Sequence, residues 1–132
     1  MASVQVRYIV RDVDAAIAFY LKLGFELQMH PAPAFAMLTR GELRLVLSAP
    51  NPAGGGGQPM PDGRQQEPGG WNRFAIEVPD LAALIERLRA DGAHFRNAMV
   101  TGVGGKQIIL DDPSGNPIEL FEPIIAEARL AK

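Results

Sequence analysis

Arg7, Arg44, Arg73, Glu77 and Glu119 are the side chains of this sequence whose types and spacing could do chemistry. Each stands at the polar beat of a stretch that alternates polar and apolar residues. An arginine presents a planar, permanently charged fork of donors, suited to a carboxylate, phosphate or enolate on a small molecule. Glu119 is the best candidate for a catalytic base, its proton affinity raised by burial or lowered by Arg73 according to which dominates. A structural role competes with both: a lone buried charge is costly, so Arg73 would pair with Glu119 or Glu77 inside the protein. No Ser-His-Asp or comparable nucleophilic set can be located, and whether the chain is an enzyme stays open. His30 sits beside Pro31 and His94 follows Gly92, so both are expected to be exposed or locally bonded. Trp71, the only tryptophan, either covers a core edge or stacks on a ligand. Val100–Lys106 is glycine-rich but lacks the spacing of a phosphate-binding loop, and reads as a turn or a flexible lid.

The alternation that exposes these residues also defines strands. In Val4–Val10 the even positions are apolar; in Leu43–Ser48 the odd positions are all Leu; in Arg73–Val78 Phe74, Ile76 and Val78 share one face; Ile118–Phe121 behaves similarly. One face of each strand therefore wants helices against it. The other face carries Gln5, Arg7, Ile9, Arg44, Val46, Ser48, Arg73, Ala75, Glu77, Glu119 and Phe121, a mixture of charge and bulk. Such a face is either solvated or turned toward a cavity.

Two helices complete the pattern. Asp12 and Asp80 stand where N-caps belong, apolar residues follow at helical spacing (Val13, Ala16, Ile17, Tyr20; Leu81, Leu84, Ile85, Leu88), and Gly24 and Gly92 close the runs. The two phrases are related by a shift of 68 positions, so the halves read as a duplication. Between them, Pro50–Gly70 holds half of the 14 glycines and five of the 11 prolines and has no strand or helix period. It reads as a long connection, able to act as a lid or to reach a partner copy. The boundaries are a first module over 4–49, a connection over 50–70, a second module over 71–123 and a tail over 124–132 that forms a short helix or frays.

Composition narrows the function classes. The 132 residues suffice for one domain with its own core, and the absence of cysteine excludes thiolate chemistry and zinc fingers. A net charge of −2 with no basic run gives no footprint for nucleic acid or an anionic membrane surface. No apolar run approaches the roughly 18 residues of a membrane helix, and Met1–Arg7 lacks a signal peptide's apolar stretch, so a cytoplasmic protein is expected.

The phrases DVDAAIAFYLKLGFE (12–26), DLAALIERLRADGAHF (80–95) and DDPSGNPIELFEP (111–123) resemble the vicinal oxygen chelate superfamily, which includes glyoxalase I, the bleomycin-resistance proteins and the extradiol dioxygenases. The resemblance implies an α+β fold of two βαβββ modules forming a U-shaped mixed sheet around a central cavity, commonly in a homodimer. In metal-dependent members a His or Gln on the first strand and a carboxylate on the last strand of each module hold the ion. The matching positions here are Gln5, Arg73 and Glu119, with the fourth near Val46 or, one register away, Arg44. Arginine offers no lone pair and valine no donor atom, so this set is not expected to hold a metal. The arginine that helps glyoxalase I hold glutathione is replaced by Ile9.

The expectation is therefore a protein that binds a small amphipathic or anionic organic molecule in its sheet cavity without a cofactor. Gln5, Arg7, Arg44, Val46, Trp71, Arg73, Glu77, Glu119 and Phe121 would line the site. The alternatives are a metal-dependent lyase or dioxygenase with a divergent ligand set, and a dimeric scaffold with no small-molecule ligand.

Overall fold

The two expected helices form where capping and apolar spacing coincide. The computed structural model, which describes residues 4–130, has α1 at Val13–Lys22 and α2 at Leu81–Ala90. Each begins with an aspartate accepting a backbone hydrogen bond, Asp12 from Ala15 N at 3.1 Å and Asp80 from Ala83 N at 3.2 Å. That bond satisfies a donor the first helical turn would leave orphaned. The buried residues of both helices are the eight apolar positions read from the sequence.

In the first half the strands are β1 (Val4–Ile9), β2 (Glu26–Ala32), β3 (Phe35–Arg40) and β4 (Leu43–Ser48), ordered β1-β4-β3-β2, with β1 parallel to β4 and the rest antiparallel. In the second half β5 (Ala75–Glu77) is parallel to β9 (Pro117–Pro123), which pairs antiparallel with β8 (Gly105–Asp111). Two short strands, β6 (His94–Phe95) and β7 (Val100–Thr101), both pair with β8. Together they stand where β2 stands in the first half, as one strand interrupted between residues 95 and 100. The Asn97 side chain accepts from Ile109 N at 2.9 Å in the gap, replacing a lost backbone bond. Each half is thus a βαβββ module, and the fold is α+β.

Strand β5 is shorter than the alternation over Arg73–Val78 suggests. Its ladder with β9 extends only to backbone bonds from Glu119 N to the Phe74 carbonyl and from Val78 N to the Phe121 carbonyl, at 3.1 and 2.8 Å. Arg73 lies outside the strand. The tail supplies a single 3₁₀ turn at Ala126–Ala128; Ala131 and Lys132, which the sequence reading included in the tail, lie outside the described residues. No helix is long and apolar enough to cross a membrane among the described residues.

The described chain separates into two compact units that do not follow the chain order strictly. One comprises the residues up to Gly69 together with Pro113–Asn116; the other comprises Gly70–Asp112 and the residues from Pro117 onward. The turn 113–116 belongs to the first because Ser114 Oγ accepts from Arg11 N at 2.8 Å and Asn116 Nδ2 donates to the Ile9 carbonyl at 2.7 Å. The first core gathers Tyr8, Val10, Tyr20, Phe25, Leu38, Leu45 and Leu47 between sheet and α1; the second gathers Ile76, Leu81, Ile108, Leu110, Ile118 and Leu120 against α2. Burying such side chains contributes about 1.5–3 kcal/mol each.

Candidate functional site

On the second sheet the face away from α2 is knitted together by its own polar groups. Arg73 donates to Glu119 Oε1 through Nε at 3.0 Å and Nη2 at 2.9 Å, and through Nη1 to the Trp71 carbonyl at 3.1 Å. With its amide nitrogen turned toward Glu119, Gln107 donates to both carboxylate oxygens, at 3.0 and 3.2 Å; the reverse orientation would set carbonyl oxygen against carboxylate. The Arg73 and Glu119 side chains are 28% and 18% exposed, so the pair is sheltered without being dry. Glu77 accepts from Leu130 N at 2.7 Å, and the Phe121 ring packs so closely on Gly105 that a Cβ there would strike it. Gln107, on the strand beside Glu119, was not among the residues singled out from the sequence, and Gln107–Leu110, one polar residue followed by three apolar ones, has no alternation that would have pointed to it.

Trp71 neither covers a core edge nor lies buried: it is 68% exposed, and the Arg96 guanidinium lies over its ring at 4.5 Å. Arg96 is itself held by Asp111 Oδ1 at 2.6 Å and by the Gly70 carbonyl at 2.7 Å. His94 Nδ1 lies 3.2 Å from Asp111 Oδ2, and His30 lies 3.9 Å from Asp14, so both histidines have local carboxylate neighbours. No motif in the sequence announces the Trp71–Arg96–Asp111 stack, because its members come from three separate segments.

The first sheet presents a different face. Register puts Arg7 opposite Val46 and Gln5 opposite Arg44 across β1 and β4, then Val46 opposite Met37 and Arg44 opposite Thr39 across β3. Met29 follows beside Met37 on β2, and Gln28 Nε2 donates to Thr39 Oγ1 at 2.8 Å. Gln5, Arg7 and Arg44 are exposed, and no hydrogen bond or ion pair engages any of them among the described residues. The segment 54–57 closes one end of this face. Ser48 Oγ donates to the Gly55 carbonyl at 2.6 Å, Asn51 N donates to the Gly57 carbonyl at 3.1 Å, and Gln66 Nε2 donates to the Gly56 and Gln58 carbonyls at 3.0 and 2.9 Å. Gly56, at a φ of +88°, lets the Arg7 guanidinium lie directly against its Cα.

Residues 3–120 match the family model of the glyoxalase/bleomycin resistance protein/dioxygenase superfamily. The chain belongs to this superfamily. A superfamily member from Sphaerobacter thermophilus has a similar solved structure, at 25% identity and a TM-score of 0.72 over 92% of this chain and 98% of that one. An antibiotic binding protein, TnmS3, from Streptomyces sp. CB03234 is 24% identical with a TM-score of 0.68 over 90% and 93% of the two chains. A lactoylglutathione lyase from Agrobacterium tumefaciens is 23% identical with a TM-score of 0.69 over 92% of each. The last two likenesses speak for the fold alone. No curated protein matches the sequence.

Within the superfamily frame, the duplication fixes which residue of the first half stands in the place of Glu119. Arg7 and Ala75 are related by the shift of 68, and their parallel partners are Val46 and Glu119. Val46 is therefore the counterpart, and Arg44 is two pairings removed. The four positions that the superfamily uses for a metal are Gln5, Val46, Arg73 and Glu119, and they do not fit one. Val46 has no donor atom, Arg73 has only N–H groups, and both Glu119 oxygens already accept from Arg73 or Gln107. Among the described residues, no group of three or more His, Asp or Glu gathers as a metal site.

Proposed function

We propose that this superfamily member binds a small amphipathic or anionic organic molecule against its polar sheet faces, without a metal. The observation that carries this reading is the arginine at a ligand position, closed on the carboxylate that would be its fellow ligand. A permanent cation there supplies the positive charge that a divalent ion would supply, and holds Glu119 with no ion between them. Glu119 then serves as a counter-ion, its oxygens directed at the Arg73 and Gln107 donors. On the first sheet the exposed Gln5, Arg7, Arg44 and Met29 suit a guest having an apolar body and an anionic end. We take the working state to be a homodimer.

Protein purified without an affinity tag and exposed separately to Ni, Zn, Fe and Mn, then dialysed and analysed for metal, tests the first part. Less than stoichiometric retention of each is expected; one equivalent of any tightly held ion overturns it in favour of a divergent metal-dependent lyase or dioxygenase. A thermal-shift panel of small acids and drugs tests the second part. Stabilisation by a subset of them is expected, and a flat response across the panel favours a scaffold without a ligand.

A further inference from the structure

Resting on that reading, we infer that the open face of the Trp71 indole is a stacking platform for the guest, and that it takes a flat aromatic ring that is neutral or bears an acid group, not a cationic ring. Of the nine aromatic residues in the chain, Trp71 alone is exposed. Its two faces are unequal. The Arg96 guanidinium lies over one of them, 4.5 Å from the ring centre. The residue nevertheless keeps 68% of its surface, and among the described residues no other ring or cation meets the second face.

The platform is held still before a guest arrives. Two consecutive backbone carbonyls of this loop accept from arginines, Gly70 from Arg96 Nη1 at 2.7 Å and Trp71 from Arg73 Nη1 at 3.1 Å. Each arginine is in turn fastened to a carboxylate on a strand, Arg96 to Asp111 of β8 and Arg73 to Glu119 of β9. The Arg96 and Asp111 side chains are only 14% and 15% exposed, so the support beneath the indole is set into the protein. Folding has thus already removed freedom that an exposed loop residue would otherwise lose on binding. Both arginines being engaged by carboxylates, stacking and not ion pairing supplies the affinity at this loop.

The occupied face sets the charge of the guest. An indole face attracts cations through its quadrupole, and Arg96 already draws on that attraction. A second cation on the opposite face would sit roughly 8 Å from the first, within the range over which charges act before salt screens them. A neutral or acid-bearing ring meets no such repulsion and gains offset stacking and apolar contact.

Calorimetry on the full chain with 2-naphthoate, its saturated counterpart decahydro-2-naphthoate and the flat cation N-methylquinolinium separates flatness from apolar area and from charge. Naphthoate is expected to bind about tenfold more tightly than the saturated acid, and more tightly than the quinolinium cation by about threefold or more. Trp71→Ala should abolish the preference for the flat acid, and Trp71→Phe should restore part of it, which shows that a ring and not a folding defect decides. Arg96→Gln, which removes the cation from the inner face, should bring the quinolinium to within about twofold of naphthoate. Equal binding of the two acids, or naphthoate binding unchanged by Trp71→Ala, overturns the inference and leaves the ligand-binding reading standing. Tightest binding by the quinolinium overturns the inference by reversing the charge of the guest. Absence of binding by all three compounds overturns the inference alone, since the general reading stands or falls on the thermal-shift panel.

Discussion

The Arg73 guanidinium converges on one oxygen of Glu119, with Nε at 3.0 Å and Nη2 at 2.9 Å, in a setting where each side chain retains some contact with water. Such a pair lies between an exposed ion pair and a buried one. Arg73→Ala is expected to cost about 1–2 kcal/mol, and Glu119→Gln a similar amount. Because the two act on one contact, the double variant should lose about 1 kcal/mol less than the sum. Urea denaturation of the four proteins measures this; strictly additive losses would show the contact to be energetically idle.

Asn116 is a second point of dependence. It is 4% exposed, donates to the Ile9 carbonyl at 2.7 Å and accepts from Gly69 N at 2.8 Å. Asn116→Ala should destabilise by about 2 kcal/mol, since the Ile9 carbonyl is left without its donor. Asn116→Asp keeps the shape but sets a carboxylate oxygen against that carbonyl, and should cost no less. Thermal unfolding of both variants distinguishes this from a simple turn residue, for which the aspartate would be tolerated.

The glycines of the 50–70 segment are not equivalent. At Gly57 a Cβ would run into the Ala49 carbonyl, a backbone obstacle that cannot swing aside, whereas at Gly63 it would meet open space. Gly57→Ala should therefore cost about 2–3 kcal/mol through overpacking. Gly63→Ala carries only the strain of a φ of +90°, about 1 kcal/mol. Comparable losses in denaturant titration would mean that conformation, not space, decides both sites.

Trp71 is the sole tryptophan, so intrinsic fluorescence reports on its stack with Arg96. Arg96→Gln should change the emission intensity while the wavelength stays that of an exposed indole. The stack is worth less than about 1 kcal/mol at such an exposed site, so Trp71→Ala should leave the melting temperature nearly unchanged. A large loss of stability would show that the indole supports structure after all.

What could be read in advance was local. The helices at 13–22 and 81–90 were legible because cap, apolar spacing and terminal glycine lie within a dozen or so neighbouring positions, and β1, β4 and β9 because alternation is a property of short stretches. The chemistry of Arg73 could be narrowed only to a pair with Glu119 or Glu77, and packing chose Glu119 by tying Glu77 to Leu130. Residues whose role rests on distant partners stayed hidden. Ser114 and Asn116 looked like turn composition, yet their partners Arg11 and Ile9 are more than 100 positions away in the chain. Arg96 and Gln107 gave no motif, because neither is defined by its neighbours in sequence. The glycine run at 54–57 showed its composition plainly, but not that Arg7 requires one of its members to lack a side chain.

The placement of Pro113–Asn116 within the first unit has a consequence for anyone dividing this chain. A fragment ending at Gly69 would contain every strand of the first sheet and its helix, yet the Arg11 amide and the Ile9 carbonyl would lose Ser114 and Asn116. Duplication gave the two halves the same plan, but the first now borrows four residues from within the second's stretch of sequence. A first half expressed alone is accordingly expected to lack these contacts and to regain them only when residues 113–116 are supplied with it.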